Sequence, residues 1–285
     1  VTAISPGAPG WRPSLVVLDL DGTVVPYSNV HIPPSPRVSA AVAAVLAGGV
    51  PVTIATGRAV WNALPTAADL GLHGIELVCS NGAVVYDADA HQVLHAATID
   101  PAPAARALSD RRSGLDFAVE HGVRGFRTTA GFPRDFPSEF LESGPLAEIV
   151  AEPTTRLVCR FAPALGSDSL ANAHGEAAEI AAELAEQALD PGTYSWEIGY
   201  TGWIDVVAPG VSKASGVAML AADLGIGAEE ILAIGDGAND LPLFAWAGYS
   251  IAMGQSPHQV QRAADEVTLP VAEDGVAVVL ERWFS

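Results

Sequence analysis

Residues 15–25 read LVVLDLDGTVV, an apolar run that ends in two aspartates, Asp19 and Asp21. Side chains of an extended chain alternate, so a strand here projects Asp19 and Asp21 together while Leu18 and Leu20 face the other way. Asp21-Gly22 also reads as an ordinary turn, a common role for that dipeptide. The choice between a turn and a paired carboxylate site depends on what the rest of the chain brings to the same place.

Three further runs share the texture of the first: VPVTIATG at 50–57, ELVCSNG at 76–82 and ILAIGDG at 231–237. Continuous apolar strands alternating with helical patterns indicate a parallel sheet covered on both faces. From about Val84 to Ala208 the texture changes to short strand-like pieces, VLHAATI, LDFAVEHG, TRLVCRFA, TYSWEIG and GWIDVVA, around a helical stretch near Asn172 to Ala188. The fold class expected is therefore α/β, a doubly wound, Rossmann-like parallel-sheet core (residues 1–84 and 208–285) with an inserted α+β domain (residues 85–207). Open sheets of this kind bind ligands outside the carboxyl ends of their strands. Asp19, Asp21, Thr56, Ser80, Asn81 and Asp236 all sit at such ends.

Composition narrows the partners. At 285 residues and 49% hydrophobic the chain has enough apolar material for two cores, while 14 Lys+Arg against 33 Asp+Glu give a formal charge of −19. That charge repels phosphate backbones and anionic lipid, so neither nucleic acid nor a membrane surface is an expected partner. The uncharged passage 38–57 is broken by Gly48, Gly49 and Pro51, and reads as helix, turn and strand rather than as a membrane span. Cys79 and Cys159 show no metal or disulfide spacing, and residues 1–14 read as a Pro/Gly leader without signal-peptide character. A cytoplasmic monomer or homodimer is expected.

The order DLDGT at 19–23, a strand ending in Thr56, Lys213, and GDGANDLP at 235–242 resembles the haloacid dehalogenase superfamily of phosphotransferases. TGR at 56–58, SNGA at 80–83, the long insert and the tail IAMGQSPHQVQRAADEVT followed by EDGVAVVL look like its Cof-like branch, which carries a large α+β cap. The family usually has Asn after AMG and often a Lys in the next helix, where this chain has Gln255 and Arg262. The resemblance implies a phosphatase acting on a small phosphorylated metabolite. Asp19 is then the nucleophile that forms an acyl phosphate, and Asp21 the general acid and base. Carboxylates of Asp19, Asp236 and Asp240 in one cleft would repel one another without a cation, and Mg²⁺ suits both oxygen ligands and substrate phosphate. Asp19, the Asp21 carbonyl and Asp236 are the expected ligands, with Asp240 orienting them.

Lys213 opens the apolar-periodic segment KASGVAMLAADLG, where a first-turn ammonium sits against the positive end of the helix dipole and calls for an anion. It is expected to neutralise phosphate and Asp19, although a solvated surface lysine fits the local sequence too. Thr56 can donate to the same phosphate and Gly57 lets backbone approach closely. Asn239 and Asp240 before Pro242 also make a plain helix start, and Asn81-Gly82 also makes a hairpin turn, so Asn81 and Asn239 are phosphate-side candidates with an ordinary alternative. Arg58 reads either as a contact between core and cap or as a surface helix start. In the insert, His121, Arg124, Arg127, Trp196, Glu197, Tyr200 and Trp203 are candidates for the leaving group, with plain packing or solvation as the alternative. A sugar phosphomutase and a catalytically inactive binding protein are the competing functions.

Overall fold

The computed structural model describes residues 8, 10–28, 30–134, 139–161, 170–199 and 202–284. Its strands in chain order are β1 (Leu15–Leu18), β2 (Val52–Ile54), β3 (Glu76–Cys79), β4 (Val84–Asp87), β5 (Gln92–Ala96), β6 (Leu115–Glu120), β7 (Phe126–Thr128), β8 (Phe140–Ser143), β9 (Leu157–Phe161), β10 (Ser195–Ile198), β11 (Ile204–Val207), β12 (Ile231–Gly235), β13 (Tyr249–Ala252) and β14 (Glu266–Val267). The helices are α1 (Pro36–Ala47), α2 (Val60–Asp69), α3 (Pro101–Arg111), α4 (Leu146–Ile149), α5 (Leu170–Ala188), α6 (Lys213–Leu224), α7 (Leu241–Trp246), α8 (His258–Ala263) and α9 (Gly275–Leu280).

β1 is the middle strand of a parallel sheet ordered β14-β13-β12-β1-β2. A parallel bridge between Ala55 and Val78 adds β3 beyond β2, β4 pairs antiparallel with β3, and β5 lies outside β4. Counted alone, the six parallel strands follow the order 3-2-1-4-5-6 of a doubly wound fold, with the switch point between β1 and β12.

Alternation explains why β1 reads as one apolar run. Val16 and Leu18 join a core with Val42 and Val45 of α1, Ala63 of α2 and Val276 of α9. Leu15 and Val17 join a different core with Val217 and Leu220 of α6, Leu243 of α7 and Val260 of α8. Both faces of the strand are buried, each aliphatic side chain contributing about 1.5–3 kcal/mol, so no position on it can be polar until the sheet ends. The first residue past that end is Asp19.

The uncharged passage 38–57 is α1, a turn at Gly48-Gly49, and β2. Ser35 caps α1 by accepting from the Val38 N–H, with Pro36 at the first helical position, where a missing N–H costs nothing. Among the described residues no helix is long and apolar enough to cross a membrane.

The chain divides into two compact units, Val1–His95 with Ser212–Ser285, and Ala96–Val211. The pattern read from sequence cuts at 84/85 and 207/208. The structure keeps the β4–β5 stretch with the first unit because it is laddered onto β3. In the second unit a six-stranded sheet, ordered β10-β11-β9-β6-β7-β8, is covered on one face by α3 and α5 through Leu108, Ala181, Ala185, Phe117, Leu157 and Val206. The strand-like pieces read in this region are β5, β6, β9, β10 and β11, and α5 is the helical stretch. α3 has no such signal in the sequence. Its prolines at 101 and 103 read as a breaker, yet they fall in the first turn, behind an Asp100 side chain that accepts from Ala102 N–H.

Candidate active site

At the end of β1 the Asp19 N–H still continues the ladder, donating to the Ile234 carbonyl at 3.0 Å. The chain then turns. The Val24 and Val25 N–H groups return to the Leu20 carbonyl and the Gly22 N–H reaches Val25 at 2.7 Å. Gly22 sits at φ +81°, and a side chain there would run into the Asp236 carboxylate and the Tyr27 ring. β1 ends at Leu18, so the turn rather than strand alternation places Asp21, and Asp19 and Asp21 both act on the Tyr27 hydroxyl and the Arg58 guanidinium. The Asp21 carboxylate takes a two-pronged ion pair from Arg58, Nε at 2.8 Å and Nη2 at 2.5 Å. Arg58 is anchored further on the Asn62 carbonyl (3.2 Å) and Thr66 Oγ1 (3.3 Å), so it is half-buried and not a surface helix start.

Lys213 is fully buried. Ser212 caps α6 through a reciprocal pair with Ser215, which sets the first turn, and Lys213 Nζ then donates to Asp19 Oδ1 at 2.7 Å and Asp240 Oδ1 at 2.6 Å. The solvated-lysine reading is thereby excluded. Asp240 is also fully buried, and its other oxygen accepts the N–H groups of Asp236 and Gly237, both at 2.9 Å. Its acceptors are committed to Lys213 and to shaping the 236–240 loop. Asp240 also directly precedes α7, with Pro242 in the first turn, but its side chain caps no N–H of that helix and is turned into the cluster instead.

Asp19, Asp236 and Asp240 each present an oxygen within 4.8 Å of the others, all three being buried. One ammonium among three carboxylates leaves a formal charge of −2 when all are ionised. Burial, with the neighbouring charges of Asp240 and Asp236, lifts the Asp19 carboxyl well above the usual range, against the pull of Lys213. Burial and Asp240 push Asp236 up to about 6. Burial alone would lower the Lys213 ammonium, but Asp19 and Asp240 hold it above its ordinary value. Both members of the Lys213–Asp19 pair therefore rise, because desolvation and a crowd of like charges outweigh one shared cation at Asp19. Asp236 is held only by long contacts, from Thr23 Oγ1 at 3.4 Å, Tyr27 Oη at 3.2 Å and Gln255 Nε2 at 3.5 Å. An all-oxygen, doubly negative cluster with a loosely bonded carboxylate fits a hard divalent cation.

Beside this cluster the structure brings together Thr56, Gly57, Asn81 and Asn239. Thr56 is buried at the end of β2, where its N–H donates to the Val78 carbonyl and its Oγ1 accepts the Arg58 N–H, leaving the hydroxyl proton to donate elsewhere. Asn239 Nδ2 donates to Asn81 Oδ1 at 3.0 Å, and a side chain on Gly57 would press against that pair. Asn81 belongs to the β3–β4 hairpin connection as well, so the turn and the site share one residue. Ser80 and Asn81 both have positive φ, 51° and 55°, a costly choice for residues other than glycine. Gly82 follows at φ +97°, and any side chain on it would run into the Ser212 carbonyl, one residue before Lys213.

Thr23 lies within the DLDGT motif and Gln255 in the tail pattern, but their contacts with Asp236, like that of Tyr27, are not legible in the sequence. In the second unit Arg127 is paired with Glu142 at 2.7 Å and with Glu152 at 3.7 Å, Trp196 packs against the core, and Trp203 lies under the Arg160 guanidinium, 5.2 Å from the ring centre. Arg124 is exposed, His121 and Glu197 are half-buried, and Tyr200 lies outside the described residues.

Residues 16–280 match the family of haloacid dehalogenase-like hydrolases. The chain belongs to that family. A Streptococcus pyogenes protein, whose name joins a phosphatase to a peptidyl-prolyl cis-trans isomerase, is 31% identical over 268 residues. That alignment covers 94% of this chain and 53% of the relative, so the chain spans about half the length of that protein. A phosphoglycolate phosphatase of Methanopyrus kandleri is 26% identical over 94% of this chain and 96% of its own. Among solved structures, a subclass IIB sugar phosphatase superposes with a TM-score of 0.74 at 22% identity, over 94% of this chain and 98% of that one, a likeness of fold.

Two outcomes test this geometry. Gly82→Ala must push the Ser212 segment away and carry Lys213 with it, so the variant loses on the order of 1–3 kcal/mol in denaturant melts. Gly71→Ala, also at positive φ but with nothing near its Cβ, is the control for backbone strain alone. An equal loss in both removes the coupling between Gly82 and the lysine. The second concerns pH. An acid whose folded pKa is raised favours the folded state while protonated, so its stabilisation is complete below about pH 4 and is lost as pH rises through about 6. In EDTA, Asp236→Asn therefore melts close to wild type near pH 4 and several degrees higher near pH 7. A difference that does not grow with pH contradicts the raised Asp236.

Proposed function

We propose that the chain is a divalent-metal-dependent phosphomonoesterase that carries the phosphoryl group on Asp19. The observation that carries this reading is the buried cluster at the switch point, in which Lys213 is shared by Asp19 and Asp240 beside Asp236. A buried nucleophile held by an ammonium, with net negative charge left for a divalent cation, is suited to a substrate that is itself a dianion. The names of the relatives, phosphoglycolate phosphatase and sugar phosphatase, support a small phosphorylated metabolite as substrate.

Asp19, Asp236 and the Asp21 carbonyl are the proposed Mg²⁺ ligands, Asp240 fixing the loop that presents Asp236. When bound, Mg²⁺ would neutralise charge on the phosphoryl oxygens and on the carboxylates around it. Asp19 attacks phosphorus, forming an acyl phosphate as the bond to the leaving alcohol breaks. Asp21 gives the alcohol its proton, then takes one from the water that cleaves the acyl phosphate, releasing inorganic phosphate and restoring Asp19. Lys213 holds the nucleophile in place and balances the incoming charge. The Thr56 hydroxyl, the Gly57 backbone and the Asn81–Asn239 pair are assigned to the phosphoryl oxygens. The unit Ala96–Val211 is assigned the role of cap, selecting the leaving group.

Phosphate release over a panel of small phosphomonoesters, with Mg²⁺ and with EDTA, is the direct test. Asp19→Asn is expected to bring Mg²⁺-dependent release to background, because an amide cannot form the acyl phosphate, while the variant stays folded with Lys213 still paired to Asp240. A variant retaining a sizeable share of wild-type activity would remove Asp19 from the role.

Asp21→Asn separates the acid from the nucleophile. Release from an alkyl phosphate, whose leaving oxygen needs a proton, falls by about 10²–10⁴-fold, whereas the single-turnover phosphorylation step with a nitrophenyl phosphate falls far less. Equal losses on both esters in that step mean that Asp21 is not the acid.

A further inference from the structure

The loop that leaves β1 carries Tyr27 with 65% of its surface exposed. The side chain is not loose. Its hydroxyl donates to Asp236 Oδ2 at 3.2 Å, and its ring edge, Cε2, sits where a side chain on Gly22 would be. A tyrosine on a surface ordinarily packs its ring and turns its hydroxyl to water. Tyr27 does the reverse, its polar end held inward on a buried carboxylate and its apolar face open at the rim of the cluster. The hydroxyl alone does not account for this choice, since Thr23 Oγ1 and Gln255 Nε2 also donate to Asp236. The Gln255 amide in addition ties down the turn under the ring, donating to the Gly22 carbonyl at 2.5 Å and accepting from the Val271 N–H at 3.0 Å. The ring is therefore a fixed aromatic surface beside the atoms assigned to phosphoryl transfer.

We infer that Tyr27 is a specificity-determining residue whose ring stacks on the leaving group, so that the enzyme selects phosphate esters of ring-bearing alcohols over short acyclic ones. The inference rests on the phosphomonoesterase reading and adds to it the class of alcohol. It assigns part of the leaving-group recognition to the first unit itself. A pre-oriented ring loses little freedom on binding, and an offset stack is worth about three- to tenfold in kcat/KM.

Benzyl phosphate and propyl phosphate test it, because both release primary alcohols of similar basicity and differ in the ring. Wild type favours benzyl phosphate in kcat/KM, and Tyr27→Ala lowers that preference about three- to tenfold. Tyr27→Phe keeps the ring and loses the bond to Asp236. It retains more of the preference than Tyr27→Ala even if its overall rate falls. If Tyr27→Ala slows both esters by one common factor, the residue serves Asp236 alone and the inference fails. If wild type releases phosphate from neither ester nor from any member of a wider phosphomonoester panel, it is the phosphomonoesterase reading that fails.

Discussion

One buried ammonium holds the candidate site together. Removing a lysine from water is costly, and a first-turn lysine also opposes the helix dipole, so Lys213 is stable only because Asp19 and Asp240 stand 2.7 and 2.6 Å away. Asp19 follows β1, while Lys213 opens α6 and Asp240 precedes α7, so the contact to Asp19 ties together segments far apart in the chain. Truncating either acid would strand charge in a dry place, at about 3–5 kcal/mol. The same contacts thus close the fold at the switch point and hold the proposed nucleophile in place, and a chain that folds this way cannot avoid building the cluster.

Within the cluster the three carboxylates are not equivalent, and their hydrogen bonds say why. Asp240 has both oxygens committed, one to Lys213 and one to two backbone N–H groups. Asp19 has one oxygen on Lys213. Asp236 has only long contacts to neutral donors. The order of commitment runs from a group that shapes the loop, through the proposed nucleophile, to the proposed metal ligand, which is free to exchange partners. Chemistry alone would let any of the three bind a cation; geometry grades them.

Much of this was legible in the sequence because it depends on short-range rules. A strand buried on both faces must be apolar throughout, so LVVL and ILAI declare a parallel sheet, and the first polar residue after each, Asp19 or the Asp236 that follows Gly235, falls at the ligand-binding end. Lys213 was legible because a lysine at a helix start needs an anion. The misses have a common cause. The partner of Asp21, Arg58, is supplied by another segment. Tyr27 and Gln255 meet at Asp236 from either end of the first unit, a contact that no local pattern encodes. α3 was hidden because Pro101 and Pro103 break helices everywhere except in a first turn.

The placement of Asp21 bears on how one residue can fill two proposed roles. Its backbone is fixed: the Gly22 N–H is bonded to Val25, Asp21 bridges to Val25, and a side chain at Gly22 is sterically forbidden. A carbonyl held this firmly is suited to a metal, which tolerates little change in ligand position. Its side chain, by contrast, is tied by a single partner, Arg58, and Arg58 has its own anchors on Asn62 and Thr66. The carboxylate can therefore leave Arg58 without the arginine having to follow. The proposed acid and base steps would then require rotation of one side chain about its own bonds, with no main-chain movement. An acid parked on an arginine between turnovers is kept from the buried cluster, where a fourth carboxylate would add to the charge that already lifts Asp19 and Asp236. In the proposed reaction the substrate's leaving oxygen is what would draw Asp21 inward.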